Sequence, residues 1–134
     1  MSYYIEINAM QHPFPLDSVD SQHRVMFSCN FTCRAVYPVS NFEREMAKVI
    51  TDNSLATLGT NLWYGPQVSI PDGDGPYIQL SSTGGRSSDW SHTSKYENLS
   101  FQVLVRGSDY DVTKTKIHNI YTLFNGLEKL TITV

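Results

Sequence analysis

The chain has no run of about 18 apolar residues, the length a membrane-crossing helix needs. Its start has no charged stretch leading into an apolar one. The sequence therefore predicts neither a spanning helix nor a secretory leader. Cysteine is scarce, with only Cys29 and Cys33. In an extended segment they would share a face, roughly 13 Å apart at about 3.3 Å per residue. A disulfide needs Cα atoms within about 7 Å. Two reduced thiols, as in a cytosol, are the expectation, and the sequons at Asn30 and Asn98 then carry no meaning. An excess of positive charge is also missing: 10 Lys and Arg face 13 Asp and Glu, for a net charge of -3. That argues against a general polyanion binder, though an acidic surface lets DNA slide past without sticking.

Catalytic and metal-binding spacings are absent as well. His12, His23, His92 and His118 are scattered, with no His-x-x-x-His, His-Glu-x-x-His or Cys-x-x-Cys pair. A structural, hydrogen-bonded role is expected for His118, beside an apolar helical stripe. "PDGDGP" at 71–76 lacks the third acid and distal glutamate of a calcium loop and reads as a surface turn. "TGG" at 83–85 is not followed by a phosphate-loop lysine, and no Gly-x-Ser-x-Gly occurs. The sequence thus predicts no catalytic residue, no metal ligand and no cofactor.

What is present is a globular composition, 40% hydrophobic and 17% charged, in 134 residues. That length suits one domain. "SYYIEINAMQ" at 2–11 alternates as a strand does, and "HPFPLDSVDSQ" reads as a long loop. "HRVMFSCNFTCRAVY" alternates again, with Val25, Phe27, Cys29, Phe31, Cys33 and Ala35 on an apolar face and Met26, Ser28, Asn30, Thr32 and Arg34 on a polar one. These two strands should pair antiparallel. In "SNFEREMAKVITDN", Ser40 and Glu43 have capping-box spacing, and Phe42, Met46, Val49 and Ile50 recur at helical spacing. A short strand around "LWY" and another at 77–82 follow. "LSFQVLVRG" is a strand. A second helix follows it, capped by Ser108 or Asp109, with a stripe of Ile117, Ile120, Tyr121 and Phe124 and Gly126 just past its end. "LEKLTITV" is the last strand. The order β-β-α-β-β-β-α-β predicts an α+β domain, a mainly antiparallel sheet carrying two helices.

Between the strands at 77–82 and 99–107 lies "GGRSSDWSHTSKYEN", polar and too long for a tight hairpin. A self-tucked loop around Trp90 is one reading. The other is an interface arm, because Trp, Tyr and Arg are the types that anchor protein contacts. Arg86, Trp90, His92, Lys95 and Tyr96 are its candidate contact residues.

In order and spacing, "SNFEREMAKVI", "LWYG", "IPDGDGPYIQL", "STGG", the polar arm, "YENLSFQVLVRG" and "DYDVTKTKIHNIYTLFNG" resemble the tail-terminator, or tail-completion, proteins of long-tailed bacteriophages, a group often labelled minor capsid proteins. The ends depart from that pattern. Residues 2–37 look like the family's last third, yet they stand first. Residues 40–134 followed by 2–37 restore the family order, so the resemblance covers nearly the whole chain in circularly permuted form. "LEKLTITV" would run into "SYYIEI", and Pro38-Val39 would be the new join. Such rearrangement requires the relinked ends to lie close together.

The resemblance implies a structural virion protein without catalysis, assembled in the bacterial host cytoplasm and residing at the head–tail junction. It implies a ring, typically a hexamer, that caps the tail tube protein and joins it to the head–tail connector protein. DNA would pass through the lumen without specific binding, and no membrane is involved. The sheet would help line the ring, and the arm would reach a neighbour or the tube. Two alternatives stand beside this: another connector or neck component, and a non-viral α+β binding module or enzyme subunit.

Overall fold

The computed structural model describes residues 2–16, 24–35, 41–65, 75–84, 86–90 and 95–131. Its elements run β1 (Ser2–Ala9), β2 (Phe14–Pro15), β3 (Val25–Ala35), α1 (Phe42–Asp52), β4 (Leu62–Tyr64), β5 (Tyr77–Ser82), β6 (Arg86–Trp90), β7 (Lys95–Gly107), α2 (Tyr110–Phe124) and β8 (Leu127–Thr131). One mixed sheet follows the path β4-β5-β7-β3-β1-β8, with β2 beside β3 and β6 beside β7. The β4–β5 pair is parallel and the others are antiparallel. With two helices this is an α+β fold, mostly strand.

The alternation read in the sequence decides which face is covered. Phe27, Cys29, Phe31, Cys33 and Ala35 of β3 are buried, as are Phe101, Val103 and Val105 of β7. Successive strand residues point to opposite faces, so one face collects the apolar set. α2 packs on β3, β7 and β1, while α1 packs on β4 and β5. The centre of the core is aromatic. Phe31 stacks on Phe101 with ring centroids 5.0 Å apart, and Phe124 of α2 meets them at 5.4 and 5.1 Å. Phe42 of α1 approaches Phe101 at 5.5 Å, so one ring ties both helices to the sheet.

The helix ends differ from expectation in one place. The Asp109 side chain accepts a hydrogen bond from the Val112 N–H at 3.0 Å, capping α2. Gly126 follows the C-cap with φ +83°, and its N–H donates to the carbonyl of Ile7. At α1 the N-cap is Asn41, without a side-chain cap bond. Glu43 Oε1 instead accepts from the Ser82 N–H at 3.1 Å, tying the helix start to the end of β5. Ser40 lies outside the described residues.

Two segments read as loops contain strands. β2 falls within the proline-rich stretch at 12–22, and β6 within the polar segment at 84–98. His118 is exposed, its ring edge-on to Tyr121 at 6.4 Å, so it is a surface residue and not a hydrogen-bonded core one.

Candidate protein interface

The arm is a continuation of the sheet. Residues 77–90 and 95–107 form one long hairpin with β7 as its unbroken side. β5 pairs with β7 from Tyr77↔Arg106 to Ser82↔Phe101, and β6 resumes at Arg86↔Asn98. From Ser82 to Arg86 the first side advances four residues while its partner covers three, from Phe101 to Asn98. A second slip of one residue falls between Arg86↔Asn98 and Asp89↔Tyr96. Extra residues of this kind bulge a strand, bend it and increase its twist. That is why the segment is too long for a tight turn and is still a hairpin. Thr83 holds the first irregularity: its N–H donates to the Ser100 carbonyl at 2.9 Å, and the two hydroxyls share a hydrogen bond.

Four of the five candidate contact residues are thereby gathered on two paired strands. Arg86 and Trp90 lie in β6, Lys95 and Tyr96 in β7, and Trp90 is directly opposite Lys95. His92 lies outside the described residues. Among the described residues the β3–β7 pairing runs to Ala35↔Glu97, and Lys95 and Tyr96 precede Glu97 in β7.

The sheet face away from the helices was legible as the polar half of each alternation, but its assembly into one surface was not. Arg86, Asn98, Arg34 and Glu6 form a row across β6, β7, β3 and β1; Ser100, Thr32 and Asn8 form the next. A shallow concavity of about 490 Å³ opens over these two rows, lined by Glu6, Asn8, Thr32, Arg34, Asn98 and Ser100 among others. Further along, Gln102 Nε2 donates to Ser28 Oγ at 3.0 Å, which satisfies a buried hydroxyl. Amide and hydroxyl groups are interspersed in the concavity with the charged Glu6 and Arg34 and the apolar Met10 and Leu99.

Among the described residues no three His, Cys, Asp or Glu side chains are grouped to hold a metal ion. The thiols of Cys29 and Cys33 are free and buried on the helix side, and burial pushes them up to about 11 and about 12. A thiol held neutral is a poor nucleophile and a poor ligand. No helix among the described residues is long and apolar enough to cross a membrane.

Comparisons with protein-family models, with curated proteins and with solved structures find no match.

Proposed function

We propose that this protein is a structural virion component of the tail-terminator type, a ring that caps the tail tube and meets the head connector. The observation that supports it best is the bent β5-β6-β7 hairpin. It gathers Arg86, Trp90, Lys95 and Tyr96 on two paired strands, β6 and β7, and these include the residue types that anchor protein contacts. A rotation that joins one surface of a subunit to a different surface of the next closes a ring. The layering also suits the role. Helices cover one face and leave the other open, and a net charge of -3 gives the chain no overall excess of positive charge to hold DNA.

The β1–β8 pair supports the permuted family order. Ser2 is the partner of Thr131, so the strands that the family order would join are antiparallel neighbours. The proposed join at Pro38-Val39 lies outside the described residues.

Native mass spectrometry and light scattering across a concentration series test this reading. A concentration-dependent step from monomer to a closed species, six subunits by the family analogy, is expected. A strict monomer, even when concentrated with tail tube protein, overturns it. Trp90→Ala should stay folded, by unchanged circular dichroism, and assemble poorly. Loss of folding with this variant would make Trp90 a tucked core residue and remove it from the interface.

A further inference from the structure

The two margins of the sheet differ at its two ends. At one end β4 is the last strand on its side, and the chain covers that margin itself. Leu58 bridges Leu62, and the Gly59 N–H donates to the Leu62 carbonyl at 2.9 Å. At the other end, where β6 takes the place of β5 beside β7, the described sheet is five strands wide in the order β6-β7-β3-β1-β8. There the margins are β6 and β8, each five residues long. Among the described residues no strand pairs with the outer side of either.

These two margins stand level with each other. The row of Arg86, Asn98, Arg34 and Glu6 starts in β6. In β1, Glu6 sits between Tyr4, opposite Lys129, and Ile7, opposite Leu127, so the row meets β8 near Glu128. The margins also run the same way, since four successive antiparallel steps separate them. An unpaired strand margin offers a row of backbone donors and acceptors that a second strand can take up.

We propose that β6 of one copy pairs in parallel with β8 of the next, which joins the five-stranded ends into one continuous circular sheet. This rests on the ring reading above and names its contact. Rotation about a ring axis preserves strand direction along that axis, so two margins that run the same way can meet in every copy. Two β8 margins related by a two-fold axis would instead pair antiparallel and stop at a dimer. The order of residue types along the two strands favours one register. Setting Asp89 beside Lys129 also sets Trp90 beside Leu130, so an opposite-charge pair and an apolar pair coincide. The charged positions have a second use in the free chain, because charges on an edge strand discourage indiscriminate pairing.

The test is cross-linking of the full chain with a short bismaleimide. The native thiols are buried, so they give little background. Asp89→Cys and Lys129→Cys are made singly and together, and each is checked for unchanged circular dichroism. The double variant should give a ladder of covalent species ending at the ring size. Either single variant alone should give none, and a mixture of the two singles should give only dimers. Charge reversal gives a second readout: Asp89→Lys should weaken assembly at least tenfold, and adding Lys129→Asp should restore it. Rings in native mass spectrometry without the ladder or the rescue overturn the β6–β8 contact and leave the ring reading standing. Cross-linked dimers from a single variant also overturn it, in favour of two-fold pairing. Absence of any oligomer overturns both.

Discussion

At the scale of single residues, the core leaves distinct marks on chemistry and stability. Cys29 and Cys33 ionise at about 11 and about 12 in the folded chain, against 9.0 for an ordinary thiol. The unfolded chain therefore releases these protons first. The thiols contribute fully to stability below pH 9.0, and that contribution falls as pH rises toward the folded values. Denaturation midpoints measured from pH 8 upward should drop more steeply for the native chain than for a Cys29→Ala, Cys33→Ala variant; equal slopes would show that the thiols are not insulated. Phe101 touches Phe31, Phe42 and Phe124, so Phe101→Ala removes the ring shared by both helices and the sheet. A loss of about 3–5 kcal/mol in urea titration is expected. Gly75 is constrained by space as well as by its φ of +74°: a Cβ there would stand 2.5 Å from the Arg106 carbonyl oxygen. Gly75→Ala should cost more than about 1 kcal/mol, and a neutral result would show that the turn shifts freely.

At the scale of elements, the helices test how far local rules reach. Asp109 has both the position and the bond of an N-cap, so Asp109→Ala should destabilise by about 1 kcal/mol. Urea midpoints for Asp109→Asn, which retains an acceptor, should stay near the native value; equal losses for both variants would separate the effect from capping. Both helices and the buried faces of β1, β3 and β7 were legible because periodicity is a local signal and these residues obey it. β6 was not. "RSSDW" is mostly polar and lies at a margin, where pairing with β7 holds it and no apolar alternation is required. β2 was hidden similarly, since Phe14-Pro15 pairs with Phe27 and Ser28 for only two residues. Glu43 looked like a capping residue because Ser-x-x-Glu spacing cannot reveal that a strand end offers it a different N–H. The polar face was visible strand by strand. The concavity it forms depends on register across three strands, which no short stretch of sequence states.

At the scale of the whole molecule, strand adjacency predicts which rearrangements the fold tolerates. β1 and β8 are antiparallel partners with Ser2 opposite Thr131, so a short turn can join them without moving either strand. A two-stranded connection of this kind needs only a few residues. A chain that begins at Ser40, runs through Val134 directly into Ser2 and ends at Tyr37 should therefore keep the same sheet. Its circular dichroism should be unchanged. Its stability should lie within about 1 kcal/mol of the native chain, a shift of a few degrees in Tm. Because β6 and β8 retain their places at the two margins, it should also assemble to the same size. A chain that fails to fold when relinked would mean that the break near Pro38-Val39 removes a connection the fold depends on, and would count against the permuted family order. A chain that folds but stays monomeric would show that the region of the Val134–Ser2 link or of the break contributes to assembly, a role the β6–β8 contact does not assign to it.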